Sequence, residues 1–205
     1  MNRILPDEYT NSIINRSWLH YYVGYFARLK NNCKYALWRH MARKRGAVIG
    51  TNVVLNYKLA KKANANLKVG DNSSIATHRI DLRNPVTIGS NVLIGSSEII
   101  TTSHNIDSQT FDRKDYGVII EDYVWIATNA LILPSCRKIE YGAVVSAGAV
   151  VVRNVCACSV VSGNPATELR KRCVVHNHLV TESLRGGDFN AYKNARRKKR
   201  TKQEK

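Results

Sequence analysis

Nine aliphatic residues at six-residue intervals constrain this chain more than any other feature. Ile88, Ile94 and Ile100 form one series, Ile120, Ile126 and Ile132 a second, and Ile139, Val145 and Val151 a third. The residue after each is often small (Gly89, Gly95, Ala127, Ser146), and so, often, is the residue four on (Val92, Ala130, Ala143, Ala149). Ile49-Gly50, Val69-Gly70 and Ile75-Ala76 are a weaker, earlier echo. A period of six suits neither a helix, with about 3.6 residues per turn, nor a strand, with a period of about two. A short strand and a tight turn, repeated, does fit it. Three such units close one triangular coil of about eighteen residues, and the aliphatic comb fills its narrow interior. Asn52, Asn72, Asn91 and Asn129 are expected at corners, where Gly and Asn tolerate left-handed backbone. A β-sandwich would instead alternate strictly and turn every ~8–12 residues.

The chain has 205 residues, 44% of them hydrophobic, enough for one buried core with appendages. No apolar run reaches the ~18 residues of a membrane span. The N-terminus has no short apolar core with a small-residue cleavage site, so a cytoplasmic location is expected. Five cysteines without a CxxC pair argue against a disulfide framework and a structural zinc site. The net charge of +17 sits mostly at the ends: residues 1–45 and 185–205 each hold nine Lys/Arg against two acids. Such ends suit nucleic acid, an anionic membrane surface or a polyanionic ligand.

Three regions follow: a helical segment over 1–46, a repeat domain over 47–166, and a C-terminal helix, linker and basic tail over 167–205. The first helix is expected over 17–45, with Trp18, Leu19, Tyr22, Phe26 and Leu29 on one side and Leu37, Trp38 and Met41 further on. Asn31-Asn32 is a candidate break into two helices. A basic, aromatic-rich helix can lie in a membrane interface or cover the open end of a β-helix; packing on the β-helix is favoured. A second helix is expected from Thr167, then a linker around Gly186-Gly187 and a basic tail from Lys193.

The comb breaks once, over 105–117, and His104 stands where the chain leaves it. Long loops on a rigid scaffold tend to carry function, and imidazole suits general-base work near neutral pH. Asp107 and Asp81 are candidates to orient the ring; Asn105 and Asp81 are candidates to touch an acceptor.

Three stretches, Val118–Pro134, Gly142–Val155 and Val160–Ala166, resemble the hexapeptide-repeat acyltransferases. The resemblance covers roughly residues 46–172 and is nearest to the short sugar O-acetyltransferases. It implies a mainly β chain built as a left-handed parallel β-helix, a homotrimer, and acetyl-CoA as donor with no metal. It puts the catalytic His in the coil before the loop, matching His104. It puts Trp125, Thr128 and Ala147 along a pantetheine groove between subunits, and Arg153 and Arg170 near the CoA phosphates, with Lys171 and Arg172 beside them. It implies a saccharide or lipid-linked saccharide acceptor. The chain departs from the family at Glu121, Glu140, Pro134-Ser135 and Cys156-Ala157-Cys158, and Lys138 reads as an extra residue that should make one corner bulge.

N-acetylation of an amino sugar is the nearest alternative reaction. A serine acetyltransferase would carry a longer helical domain, and a zinc carbonic anhydrase of this fold needs three His ligands; His176 and His178 lie outside the comb. A non-catalytic scaffold or nucleic-acid binder could use Lys198-Lys199-Arg200, but no nucleic-acid module is recognisable.

Overall fold

The computed structural model describes residues 18–173 and Val175. Of these, residues 18–34 fall in one compact unit and the rest, from Tyr35 on, in a second. Within the described residues the second unit is a parallel β-solenoid of about six turns.

Three walls build it. The first stacks β1 (Val48–Ile49), β3 (Leu67–Val69), β5 (Val86–Ile88), β10 (Val118–Ile120) and β13 (Lys138–Ile139), all parallel. The second stacks β2 (Val54–Leu55), β4 (Ser74–Ile75), β6 (Leu93–Ile94), β11 (Trp125–Ile126), β14 (Val144–Val145) and β16 (Ser159–Gly163). The third holds β7 (Glu98–Ile99), β12 (Leu131–Ile132) and β15 (Val150–Val151). In the first coil a short helix, α2 (Tyr57–Lys62), runs between the second wall and the first; Asn56 caps it by accepting from the Lys58 amide, and Leu59 and Ala60 are buried.

The comb points inward. Ile88, Ile94, Ile120, Ile126, Ile132, Ile139, Val145 and Val151 are all buried. Each fully buried aliphatic side chain of this size is worth roughly 1.5–3 kcal/mol, and a strand of two residues needs such stacking to persist. The third tooth corrects the sequence reading: Ile99, not Ile100, lies inside, in register with Ile132. Three residues lie between Ile94 and the next strand's Glu98, against four between Ile126 and Leu131. One corner residue fewer shifts the comb by one.

One corner column carries six left-handed residues. Asn52, Asn72, Asn91, Tyr123, Gly142 and Cys158 each follow the inward first-wall residue by three positions, and all have φ between 54° and 67°. Asn129, at φ 60°, holds the same place at the next corner. The four asparagines thus do what their chemistry predicts; Tyr123 and Cys158 show that stacking can force the same turn on other side chains. The extra residue does not bulge at Lys138, which is in a strand. It is absorbed in the 133–137 corner, where Cys136 turns inward and Asn154 Oδ1 accepts from the Arg137 and Lys138 amides at 2.8 and 3.0 Å.

Both ends of the solenoid are covered. Helix α1 (Trp18–Lys44) is continuous, so Asn31-Asn32 does not divide it; Asn costs an interior helix position only a few tenths of a kcal/mol (about 0.7 at most). Its residues 35–44 belong to the solenoid unit, where Ala42 is buried and Trp38 and Met41 pack on the core. Arg43 donates to the Ile49 and Gly50 carbonyls at 2.7–3.0 Å, and Arg39 to that of Val53 at 3.0 Å. These carbonyls belong to the first coil, which has no coil before it to pair with. The helix ends in a Schellman motif: Gly46 has φ 93°, Ala47 N–H donates to Ala42 and Gly46 N–H to Arg43.

At the other end no helix starts at Thr167. Residues 166–171 form β17 (Ala166–Lys171), antiparallel to β16 after a turn at Gly163. The last coil leaves an open strand edge, and folding the chain back satisfies it. The expected linker at 185–192, the tail from Lys193, and His176 and His178 lie outside the described residues.

Candidate active site

The break in the comb is a β-hairpin. β8 (Thr102–His104) and β9 (Arg113–Asp115) pair antiparallel, with His104 opposite Arg113. The excursion therefore begins at 102, inside what the comb alone marks as the coil. It leaves at the corner between the third wall and the first. Its turn is held by its own bonds: Asn105 N–H donates to the Asp112 carbonyl at 2.7 Å, and the Asp112 carboxylate accepts from Ser108 and Thr110 hydroxyls at 2.6 and 2.7 Å. Those two hydroxyls hold the Asp112 carboxyl below the usual range.

His104 is exposed, and its Nδ1 lies 2.6 Å from the carbonyl oxygen of Phe111. A carbonyl only accepts, so Nδ1 carries the proton and the Nε2 of neutral imidazole keeps its lone pair. Phe111 presents that oxygen from φ 49°, a left-handed backbone unusual for a bulky residue. The orienting role expected of Asp107 or Asp81 falls, in the protomer, to a backbone atom. Asp107 and Ile106 are exposed at the hairpin's tip, and Asn105 is half-buried beside them.

Asp81 lies in the preceding coil, beneath the hairpin's root. Its carboxylate accepts from Arg83 Nε at 2.9 Å and Nη2 at 3.1 Å, from the Arg83 and Thr101 amides, and from Thr102 Oγ1 at 3.0 Å. Partial burial works to raise its pKa, but these donors prevail and hold the carboxyl well below the usual carboxylate range. Asp81 is thus engaged in holding β8.

The residues expected to hold CoA fall into two groups. Trp125, 45% exposed, stands on the second wall in register with Leu93 and Val144. Thr128 and Ala147 occupy equivalent places in successive coils at the next corner, both exposed. Trp125, Thr128 and Ala147 form a strip suited to a long, flexible chain laid along the corner. Arg153 is exposed across the third wall, at the corner from which the His104 hairpin departs. Arg170 is exposed on β17 and donates to the Lys171 carbonyl at 3.1 Å. Lys171 is occupied: its ammonium binds Ser159 Oγ at 2.7 Å and Glu168 Oε2 at 3.1 Å. Arg172 donates to the carbonyls of Tyr123 and Gly142. Lys171 and Arg172 are thus committed to holding the end of the solenoid, while Arg153 and Arg170 stay exposed. Among the described residues no group of three His, Cys, Asp or Glu could hold a metal ion.

Nothing in the sequence pointed to the Phe111 carbonyl beside His104 or to Asn84, a buried amide that donates to Thr101 and Asp115 at the two ends of the hairpin. A backbone carbonyl leaves no mark in residue type, and Asn84 is one of many asparagines until the fold sets it under the hairpin.

No family model matches the chain. A protein named as a colanic acid biosynthesis acetyltransferase, WcaF of Escherichia coli K12, is 31% identical over 138 residues, covering 66% of this chain and 75% of the relative. A protein named as an acetyltransferase in Schizosaccharomyces pombe is 33% identical over 93 residues, 42% of this chain, and the match spans 43% of that relative's length. Among solved structures, a hexapeptide-repeat-containing acetyltransferase of Vibrio cholerae O1 biovar eltor, complexed with acetyl-CoA, superposes with a TM-score of 0.55 at 27% identity, over 80% of this chain and 87% of the other. The repeat geometry and the extent of the WcaF match together mean that this chain belongs to the hexapeptide-repeat acetyltransferase family.

Proposed function

We propose that this protein transfers an acetyl group from acetyl-CoA to a hydroxyl of a saccharide, with His104 as general base. The observation that carries the reading is the bond from His104 Nδ1 to the Phe111 carbonyl. It leaves Nε2 as an acceptor on an exposed edge. There the acceptor's O–H gives its proton to Nε2 as its oxygen attacks the thioester carbon. The negative charge on the thioester oxygen is met by a backbone N–H donor. The C–S bond then breaks, and the CoA thiolate leaves with the proton from the imidazolium. No covalent enzyme intermediate is needed.

Family membership and the acetyl-CoA complex of the Vibrio neighbour support acetyl-CoA as donor. Trp125, Thr128 and Ala147 offer the strip for its pantetheine arm, and Arg153 and Arg170 the charge for its phosphates. Colanic acid biosynthesis, in the name of WcaF, supports a saccharide acceptor. His104 and the Trp125 strip sit at different corners of one protomer, so a homotrimer that sets one subunit's hairpin against its neighbour's strip fits the reading. The helix α1 contains no acid, and Tyr22, Phe26 and Leu29 on it are exposed. These features support peripheral attachment to an anionic membrane, where a lipid-linked saccharide would be met. No helix among the described residues is long and apolar enough to cross one.

The test is thiol release from acetyl-CoA across a panel of sugars and amino sugars, comparing wild type with His104→Ala. Release that needs both a sugar hydroxyl and His104 supports the reading. Release only with amino sugars points to N-acetylation. Acceptor-stimulated release that survives in His104→Ala removes His104 as base, and failure to bind acetyl-CoA removes the transferase reading.

A further inference from the structure

Residues 81–85 of one coil lie directly under the two feet of the hairpin that leaves the next coil. Ile80 bridges to Ile99, Asp81 accepts from Thr101 and Thr102, and the Pro85 carbonyl accepts from Val118 N–H at 3.0 Å. Between them is Asn84, a polar side chain only 8% exposed. Its Nδ2 donates to the Thr101 carbonyl at 2.9 Å and to Asp115 Oδ1 at 3.0 Å. Thr101 immediately precedes β8, and Asp115 ends β9. One amide group thus spends both hydrogens on opposite legs of one hairpin. The Thr101 carbonyl also accepts from Tyr116 N–H at 2.9 Å, which closes the hairpin at its root. The neighbours settle the orientation of the amide: a carbonyl and a carboxylate can only accept, so the NH₂ group must face them.

We propose that Asn84 is a positioning residue for catalysis, a clamp that joins both feet of the hairpin and so fixes where His104 stands. The proposal rests on the reading of His104 as base. Phe111 sets the tautomer of the imidazole, and the paired strands carry the ring. Neither fixes the hairpin against the solenoid. Asn84 does so from a buried position on the rigid coil below, together with Asp81, which holds only the first leg. A carboxylate at 84 would have the same shape but no hydrogens. It would face the Asp115 carboxylate and drive the legs apart. Displacing a base by about 1 Å can cost on the order of 100-fold in rate. The strip of Trp125, Thr128 and Ala147 is built on the solenoid coils and not on the hairpin, so its hold on CoA should change little.

The experiment compares wild type, His104→Ala, Asn84→Asp and the double variant Asn84→Asp/Asp115→Asn. It measures kcat and KM for acetyl-CoA by thiol release, and hydrogen exchange of the Tyr116 amide in the intact protein. In Asn84→Asp, kcat is expected to fall about 10–100-fold, KM for acetyl-CoA to stay within about twofold, and Tyr116 exchange to quicken. The double variant restores only the bond to residue 115, where an amide can donate to a carboxylate at 84, and leaves the Thr101 carbonyl without its donor; it is expected to recover part of the lost rate and protection. A kcat in Asn84→Asp within about twofold of wild type, with His104→Ala inactive, overturns the clamp. So does equal loss in the single and double variants, or a rise in KM that accounts for the lost rate. If His104→Ala is as active as wild type, the reading of the base fails instead. Tyr116 exchange still decides the clamp in that case: unchanged protection in Asn84→Asp overturns it, and faster exchange partly restored by the double variant supports it.

Discussion

His104 Nδ1 and the carbonyl oxygen of Phe111 lie 2.6 Å apart, across seven residues of chain. The bond ties the imidazole to the turn of its own hairpin, and the acceptor belongs to the backbone. The side chain at 111 is therefore free to vary so long as the backbone can hold φ near 49°.

Phe111→Asn should keep kcat within a few-fold of wild type, because Asn adopts the left-handed region at little cost. Phe111→Pro should lose activity by about 10–100-fold or more. Proline fixes φ near −65° and removes the N–H that bonds the Ser108 carbonyl at 3.1 Å. Thiol release with the best acceptor, measured alongside melting curves, checks both. Equal activity in the two variants would show that the carbonyl's placement does not matter.

Replacing His104 by Ala or Gln should lower acceptor-dependent thiol release by roughly 10²–10⁴-fold, the usual worth of a positioned base. Thermal stability should change little, because His104 is exposed. Binding of CoA, followed by calorimetry, should be retained.

Cys136 gives a stability effect with a defined sign. Burial pushes its thiol up to about 11, offset only in part by the Lys138 backbone. The unfolded thiol ionises near 9, so between about pH 9 and 11 the native state holds a proton that the unfolded chain has lost. Stability must then fall as pH rises through that window, by at most roughly 2–3 kcal/mol. Urea midpoints of wild type and Cys136→Ala from pH 8 to 11 should show the extra slope only in wild type. Iodoacetamide at pH 8 should label exposed Cys33 and Cys156 in the native protein and spare Cys136.

Gly89 tests the corners. A Cβ there would meet the Asp122 amide nitrogen at 2.8 Å and the Glu121 carbonyl carbon at 2.9 Å. These are backbone atoms of the next coil and cannot turn aside. Gly89→Ala should destabilise the solenoid by about 1–3 kcal/mol, read as a lower denaturant midpoint. Gly148→Ala meets nothing within 4 Å and should cost only the strain of its left-handed backbone, about 1 kcal/mol.

The period-six comb, by itself, determined the solenoid. Eight of its nine teeth point inward where the spacing puts them, because a narrow interior accepts only aliphatic side chains and each coil repeats the demand of the last. The corner asparagines were legible for the same reason, since left-handed backbone selects few residue types. His104 was legible as the residue at the break. Tertiary structure alone decided the rest. Ile99 replaced Ile100 because a corner one residue shorter leaves no trace in the comb. The strand at 166–171 replaced a helix because an open edge of β16 had to be paired, and that edge exists only once the coils are stacked. The Phe111 carbonyl, the Asn84 amide and the engagement of Lys171 came from chain segments that meet only in the fold. Periodic burial is written along the chain, whereas single hydrogen bonds depend on which atoms the stacked coils bring within reach.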